Sequence, residues 1–493
     1  MTTMRPVIRD SMLIAALVGA AAHPGRAQQA ALRPDSTSKV NPQSETLTLK
    51  NNVLPAVEIT GFLTLLSIYD RIVHASDVQD GKKVYGSTFA STWDHLRTQT
   101  WVFDQDPFNI NQFAHPYQGA TMYGLARSAG HGFWVSLIHS NIGSFIWKMA
   151  GETDPPSLND QITTGQAGSL LGEALFRMAD LVLKDGGATR PNRLHEIGAA
   201  LISPPDGLNR SVFGRRFKGT LPETAPATFW QFRFGGSLDA LSKDIRSPLG
   251  VLHNDGTAEF SMSYGLPGQP GYDYTRPLDY FDFQFSALTN AKNPIENIMV
   301  RGLLIGSKTG RGPSYRGIWG LYGSYDYISP YLFRVSSTAL SLGSTGQLSI
   351  TPEVALQGTG LLGVGFGAAG SVAGIPSTST NEAIRDYHYG ATPQALLALR
   401  LLVADRAMLD VAAREYHVTG TGSDNNQGSE TIFRGDFGAT FRVYRHHALW
   451  MQYVLSKRDA TYSKVANRSY SQGTVTFGYS MLGGPSLRAV NWR

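Results

Sequence analysis

The chain has 493 residues, room for two or three globular domains, yet only 16% of them are charged, while 53 glycines, 23 phenylalanines, 21 tyrosines and 8 tryptophans run through it. Few charges with many glycines and aromatics suit strands that face lipid and turn often. There is no cysteine, which excludes disulfides and thiolate chemistry, and the net charge of +5 is scattered without an aromatic-interleaved basic stripe, which argues against nucleic-acid binding.

The first element is a basic start (Arg5, Arg9), an apolar run "MLIAALVGAAA" from Met12 to Ala22 and a small-residue exit "GRAQQ". It reads as a secretory signal peptide over residues 1–27, too short to span as a mature helix, with cleavage after Ala27 and Ala22 as the alternative. Residues 28–50 are polar, rich in Ser, Thr and Pro and without periodicity, the pattern of a flexible N-terminus.

Residues 51–210 read as helical or irregular, opened by the amphipathic "LPAVEITGFLTLLSIYDRI". No mature stretch offers the roughly 18 uninterrupted apolar residues of a spanning helix. The nearest, "FWVSLIHSNIGSFIWKMA" at 133–150, is broken by His139, Ser140, Asn141 and Lys148, as export through the inner-membrane translocon requires. Helices are expected over 117–131, 133–149 and 159–183. His115 precedes Pro116, which biases it to an extended conformation ahead of the first helix, and Ser157 or Asn159 is placed to cap the third. Gly165, Gly168 and Gly172 recur at spacings of three and four and form a smooth stripe for close helix packing, with Gly119 on the first helix in the same role. Glu173 and Arg177, at i and i+4, can pair.

Asn111, His115, Tyr117, Arg127, Asn159, Asp160, Glu173 and Arg177 are expected to form a buried polar core. His115, Glu152, Asp160 and Glu173 are the candidates for acid, base or nucleophile-activating roles, beside the serines Ser128, Ser136, Ser140 and Ser144. None of those serines has a G-x-S-x-G context, and a histidine at a helix entry more often satisfies a hydrogen bond than performs catalysis. With no H-E-x-x-H or i, i+4 histidine pair, no metal is implied, and without a phosphate-cradling loop or dinucleotide fingerprint no cofactor is either.

From residue 211 to 493 period-two alternation takes over. "YFDFQFSA" sets Phe281, Phe283, Phe285 and Ala287 against Asp282, Gln284 and Ser286, and "IFRGDFGATFRV" sets Phe433, Phe437, Ala439, Phe441 and Val443 against Arg434, Asp436, Thr440 and Arg442. A soluble sandwich also alternates, but here the polar faces are rich in Gly, Ser, Thr and Gln, aromatics gather at segment ends ("YGSYDYISPYLF"), and segments often reach about 10 residues. The expected fold is mainly β: an outer-membrane antiparallel β-barrel of about 12 strands, within a range of about 10 to 14, with the helical region packed in its lumen or at the periplasmic mouth. "VADRAM" and "YRHHA" read as tight turns, while "GIPSTSTNEAIRDYHYGA" and "GTGSDNNQGSE" read as longer loops. The chain closes on "AVNWR", with the aromatic Trp492 penultimate where barrel substrates commonly end on an aromatic residue.

"NQFAHPYQGATMYGLARSAGHGFW", "GSFIWKMAGE" and "PPSLNDQITTGQAGSLLGEALFRMAD" together resemble the bacterial domain-of-unknown-function family 3943, over roughly residues 95–185, and the downstream "SYDYISP", "RDYHYG" and "VNWR" resemble its C-terminal extension. The resemblance implies a helical, motif-rich region in an exported Gram-negative protein, joined to a barrel. Matching family positions are Asn111, His115, Pro116, Tyr117, Gly119, Arg127, Gly130, Phe133, Trp134, Gly143, Glu152, Pro156, Ser157, Asn159, Asp160, Gly168, Gly172, Glu173 and Arg177. Lys148 departs from the family, whose members more often carry Glu there.

The expected function is therefore a barrel with an internal helical plug or periplasmic module, in envelope lipid or solute handling; helices that fill the lumen would meet wall residues such as Arg434 and Asp436. Its expected partners are outer-membrane lipid and the barrel assembly machinery. Two alternatives stand beside it: a membrane-embedded lipid hydrolase or acyltransferase using His115 and Glu173, and a periplasmic interaction module for envelope machinery.

Overall fold

The computed structural model describes residues 49–488 except 77, 80–81, 98–99, 105, 185–191, 215–220, 222–223, 243–249, 290–293, 331–332, 371–386, 421–427, 463–466 and 485. The expected signal peptide, the stretch up to residue 48 and the terminal "VNWR" lie outside the described residues. The chain divides into two units, Met1–Asp104 with His115–Leu221, and Gln105–Ala114 with Pro222–Arg493.

The first unit is helical: α1 (Leu49–Val73), α2 (Phe89–Arg97), α3 (His115–Ser128), α4 (Phe133–Ala150), α5 (Leu158–Ile162), α6 (Gly168–Lys184), α7 (Arg193–Ile202) and α8 (Pro204–Phe213). The three expected helices are α3, α4 and the run from α5 to α6, which a π turn at Thr163–Ala167 interrupts. A second π turn, Ile110–Ala114, leads straight into α3, so His115 is helical and not extended. The wider turn explains how: proline lacks an N–H and its ring strikes the carbonyl four residues back in an α-turn, and a π turn moves that carbonyl away.

Expectation and structure also differ at α1. Asn52–Val73 is long and apolar enough to cross a membrane, with a mean hydropathy of 1.4, and only 17% of that window is buried. Glu58, Thr60, Gly61 and Thr64 interrupt the apolar run and hide it from a count of consecutive residues, but they do not lower its mean enough to disqualify it. One side of α1, Ile59 and Leu63, packs on Met122, Leu125 and Trp147.

The second unit is the barrel: β1 (Thr228–Ser242), β2 (Gly250–Tyr264), β3 (Phe281–Leu288), β4 (Ile295–Arg311), β5 (Tyr315–Ile328), β6 (Arg334–Ser349), β7 (Val354–Gly370), β8 (Tyr387–Val403), β9 (Ala407–Thr419), β10 (Gly428–Tyr444), β11 (His447–Tyr462) and β12 (Arg468–Leu482). Each strand pairs antiparallel with the next, and β12 pairs with β1 from Gln231↔Leu482 to Ser242↔Ser471, closing the sheet with Gly235 opposite Gly478 at the seam. The twelve strands agree with the alternation count. Both expected tight turns are present, built on left-handed residues at Ala404 (φ 47°), Asp405 (φ 55°) and Arg445 (φ 45°). The loop expected through "DYHYGA" is shorter than read, because Tyr387–Val403 is already strand.

Alternation resolves into an outside and an inside. On β10 Phe437, Phe441 and Val443 are 49%, 54% and 61% exposed, while Arg434 and Thr440 are buried. Paired residues share a face, and following the ladders around the barrel puts Leu449, Leu362, Leu342, Trp319 and Phe477 on the same outward side, all exposed. Phe281, Phe283 and Phe285 also share the outward face but are buried, with Tyr264 stacked 4.9 Å from Phe281 and Phe260 at 6.0 Å from Phe283.

Near the long-loop end, Tyr325 of β5 and Tyr387 of β8 likewise point outward and are buried, because the Gln105–Ala114 segment lies over them. Tyr325 Oη donates to the Gln112 carbonyl (2.6 Å), Asn111 Nδ2 donates to Tyr387 Oη (2.8 Å), and Phe108 meets the Tyr387 ring edge-on at 5.3 Å.

The barrel's own side chains fill its lumen in three layers. At the tight-turn end Phe229, Tyr280, Tyr322, Leu402 and Leu482 pack with Leu266 from the β2–β3 connection and with Leu487 beyond β12. That connection folds inward, where Gln347 Nε2 donates to the Pro267 carbonyl (2.5 Å). The middle is ionic: Arg301 with Asp326 (2.7 Å), Arg233 with Glu259 (3.2 Å) and Arg400 with Asp410 (2.6 Å), while Arg458 with Glu430 (2.7 Å) lies nearer the long loops, at the level of Val418 and Ile432. Toward the long loops Met299, Phe333, Val335, Val418 and Ile432 form a second apolar cluster. Arg434 and Asp436, expected to meet helices, find partners within the barrel: Arg434 with Glu296 at 3.4 Å, and Asp436 with Arg414 at 2.5 Å.

Candidate functional site

Close helix approach comes first, since it brings the polar side chains of the helical unit together. A Cβ on Gly119 would fall on the Thr164 carbonyl oxygen, one on Gly168 would lie 2.7 Å from the Gly119 Cα, and one on Gly172 2.8 Å from the Tyr123 ring. Gly165 meets the Asn141 amide in the same way. Glycine lowers helix stability by about 1 kcal/mol relative to alanine, and backbone contact between α3 and α6 is what that cost makes possible.

The first buried cluster centres on Glu173 of α6. Its carboxylate accepts from Tyr123 Oη (2.7 Å), Arg127 Nε (2.7 Å) and Nη2 (3.2 Å), and Arg177 Nε (2.7 Å). Arg127 also donates to the His131 carbonyl (2.8 Å) and stacks 4.7 Å over the Phe176 ring. Burial alone would raise the Glu173 pKa, but the two guanidiniums overcome it and hold the carboxyl down at about 2. An anion held by so many donors is a poor proton acceptor.

The second cluster joins the C-terminal end of α4 to α5. Lys148 Nζ lies 2.6 Å from Glu152 Oε2 and 2.5 Å from Asp160 Oδ2, and Trp147 Nε1 donates to Glu152 Oε1 (2.6 Å). Asn159 Nδ2 donates to Asp160 Oδ1 (2.7 Å), and Asn159 Oδ1 accepts from the Asp104 N–H (3.1 Å). Ser157 stands at the N-cap of α5, yet its hydroxyl bonds the Asp160 carboxylate instead of a backbone N–H, so the expected cap is not made in that form. Burial pushes the Asp160 carboxyl above its ordinary range against the pull of Lys148, and nearby Asp104 adds to the push. Burial and then the Lys148 ammonium hold His115 below its ordinary pKa, so the ring is neutral at pH 7. Its Nδ1 lies 3.2 Å from Gln118 Oε1, and its Nε2 lies 3.4 Å from Asp160 Oδ2 without a hydrogen bond.

The expected polar core thus separates into two groups. Arg127, Glu173 and Arg177 form one, and His115, Asn159 and Asp160 another that also takes Glu152. Asn111 belongs with the barrel tyrosines, and Tyr117 is half-buried on α3. Sequence reasoning missed Tyr123, Trp147 and Asp104, and read Lys148 only as an interruption of an apolar run and a departure from the family pattern. The i, i+4 spacings Tyr123–Arg127 and Lys148–Glu152 were the available signal.

Chemically, Ser157, Asp160 and His115 stand with the acid between serine and imidazole, whereas nucleophilic activation needs the imidazole in the middle. Ser128 and Ser140 are engaged in helix packing: Ser128 Oγ accepts from Asn209 Nδ2 (2.7 Å), and Ser140 Oγ donates to the Gly119 carbonyl (3.0 Å).

Comparison with known proteins adds a family-model match over part of the chain and a set of likenesses to solved structures. Residues 100–205 match the family model described as Domain of unknown function (DUF3943). No curated protein matches the chain. Among solved structures, the chain is similar to the COG4313 outer membrane channel from Pseudomonas putida F1 (11% identity, 53% of this chain and 97% of that chain covered, TM-score 0.26). It is similar also to the translocator domain of autotransporter NalP from Neisseria meningitidis (13% identity, 51% and 88% covered, TM-score 0.23). A third likeness is to the outer membrane channel DcaP of Acinetobacter baumannii (6% identity, 54% and 100% covered, TM-score 0.23). The barrel assignment itself rests on the strand pairing of β1 to β12. Residues 100–205, which hold both buried clusters, thus match the DUF3943 model, and the same chain carries a closed twelve-stranded antiparallel barrel.

Proposed function

We propose that the protein is an outer-membrane barrel concerned with envelope lipid, and that its lumen is closed to solutes. The observation that carries this reading is where the barrel puts its charge. Arginine–carboxylate pairs fill the lumen between two apolar clusters, and Leu, Val and Phe side chains turn outward. A cavity in the lumen, lined by Glu259, Glu296 and Arg434, measures about 40 Å³, room for water and not for a nutrient. An outward apolar belt on a closed sheet satisfies every backbone group in hydrocarbon, which is what a bilayer demands. Delivery by the barrel assembly machinery belongs to the same reading.

Two measurements test it. In planar bilayers the purified full chain is expected to add no steady ion conductance, and deletion of its gene is expected to change the outer-membrane lipid profile. A persistent open channel, or an unchanged lipid profile, would count against the reading. A hydrolase using His115 and Glu173 together is less well served, since the two residues belong to different clusters and the Glu173 carboxylate is saturated with donors.

A further inference from the structure

The helical unit is built with its polarity reversed. Along α4 the small and polar residues Ser136, Ser140, Gly143, Ser144 and Lys148 are buried, while Trp134, Ile138, Ile142, Phe145 and Ile146 are 40–54% exposed. A helix facing water does the opposite, turning its isoleucines in and its serines and lysines out. The polar groups flanking the apolar stripe are spoken for: Asn141 Nδ2 donates to the Leu137 carbonyl (2.8 Å), and Asn141 Oδ1 accepts from Gln166 (2.9 Å).

The outward side of α1 repeats the pattern. Between Val53 and Tyr69 its exposed side chains are Val, Ala, Thr, Leu, Ile and Tyr, with no charge among them. The two threonines return their hydroxyls to the helix, Thr60 to the Ala56 carbonyl (2.8 Å) and Thr64 to the Thr60 carbonyl (2.7 Å), which is how hydroxyls are satisfied in hydrocarbon. Glu58 is turned inward, where Asn209 Nδ2 donates to it (3.3 Å). The uncharged outer face from Val53 to Tyr69 spans about 25 Å as a helix, most of the hydrocarbon thickness of about 30 Å, and Arg71 beyond it donates to the Ser87 carbonyl (2.7 Å). In a helical unit whose ionic groups are matched inside, an uncharged outer face of this length fits acyl chains.

We infer that the outward faces of α1 and α4 contact lipid acyl chains, which makes the helical unit a membrane-embedded module. The inference rests on the outer-membrane reading of the barrel, and the test keeps the two separable. Because the chain has no cysteine, a single introduced cysteine carries a nitroxide label without background. The full chain is reconstituted in phosphatidylethanolamine–phosphatidylglycerol vesicles with labels at Leu65→Cys, Ile138→Cys or Ile142→Cys, and collision with oxygen is compared with collision with a water-soluble nickel chelate. Phe437→Cys and Leu449→Cys on the barrel's outward face report lipid, and Glu353→Cys in a tight turn reports water. The expected result is several-fold preference for oxygen at Leu65, Ile138 and Ile142, matching Phe437 and Leu449 and reversed at Glu353. Preference for nickel at the helix positions, with Phe437 and Leu449 still reporting lipid, overturns the inference and spares the barrel. Low collision with both reagents means that protein covers these faces, whether the barrel wall or a second copy of the chain, and also overturns it. Preference for nickel at Phe437 and Leu449 overturns the barrel reading itself.

Discussion

Arg127 and Glu173 meet side by side, Nε on Oε2 at 2.7 Å and Nη2 on Oε1 at 3.2 Å, and neither side chain reaches solvent. Removing the carboxylate leaves Arg127 and Arg177 facing each other without their shared counter-charge, and losing one partner of a buried pair costs roughly 3–5 kcal/mol. Glu173→Ala is expected to lower the melting temperature of the helical signal strongly, and Glu173→Gln somewhat less. If Glu173→Ala assembles with unchanged stability but alters the lipid profile, a catalytic role for the carboxylate becomes the better account.

Acid should weaken the helical unit through His115 and Glu173, against the raised carboxyls of Asp70, Asp160 and Asp206, which work in the opposite sense. His115 is held below 6.5, so as pH falls past that value the unfolded chain takes up a proton that the folded chain resists, and stability declines. Glu173, at about 2 when folded against 4.5 as its ordinary value, contributes roughly 3 kcal/mol above pH 4.5 that is lost as pH falls from there toward 2. A denaturant titration at several pH values reads both slopes. His115→Gln should change only the upper slope, and an unchanged upper slope in that variant would remove His115 as a cause.

Packing at the α3–α6 contact leaves no room for a side chain. Gly168→Leu is expected to prevent stable assembly, and Gly119→Ala to do nearly as much, since the added carbon meets the Thr164 backbone and not a movable side chain. Gly61→Ala is the control, because nothing lies within 4 Å of that position. Heat-modifiable gel migration separates the three, and wild-type migration of Gly168→Leu would refute the packing account.

In the lumen, Asp326 accepts from Arg301 (2.7 Å) and from Tyr416 Oη (2.8 Å). Asp326→Ala strands a buried guanidinium and is expected to destabilise the barrel by roughly 3–5 kcal/mol without creating a steady conductance, because the apolar layers on either side remain. Bilayer recordings of the variant check the second half of that expectation. A lasting open state there would show that the ionic layer alone seals the lumen.

Ala404 sits at φ 47°, a conformation that costs an L-residue roughly 1–2 kcal/mol and glycine little. Ala404→Gly is expected to stabilise the β8–β9 hairpin slightly. Asp405→Gly, at the neighbouring left-handed position, should not, because the Asp405 carboxylate accepts from Ser486 Oγ (2.9 Å) and the Leu487 N–H (2.5 Å). Denaturant midpoints of the two variants should move in opposite directions.

The strands were legible because a barrel wall repeats one local rule: residues two apart share a face, as Phe437 and Phe441 do, and no distant partner is needed to read it. The glycine stripe was legible for a similar reason, since helical spacing alone puts Gly165, Gly168 and Gly172 together. What stayed hidden depends on contacts far apart in sequence. Lys148 looked like an interruption in an apolar run, and its meaning appears only when Asp160 arrives beside it. Pro116 looked like a helix boundary until the π turn accommodated it. The inward fold of the β2–β3 connection has no periodic signature, so the lumen seemed to need filling from outside.

The seam between β12 and β1 sets the order of events during assembly. Every other pairing in the barrel joins strands that follow one another along the chain, whereas Gln231 must wait for Leu482, the last residue of the last strand. Closure is therefore the slowest-nucleating pairing, because its loop entropy spans the whole sheet. Gly235 opposite Gly478 puts no side chain at the centre of that join, so it can zip without rotamers having to interdigitate. Until it does, β1 and β12 are both open edges able to pair with any strand they meet, and a chaperone or membrane catalyst that shields those two edges would govern the yield of folded protein.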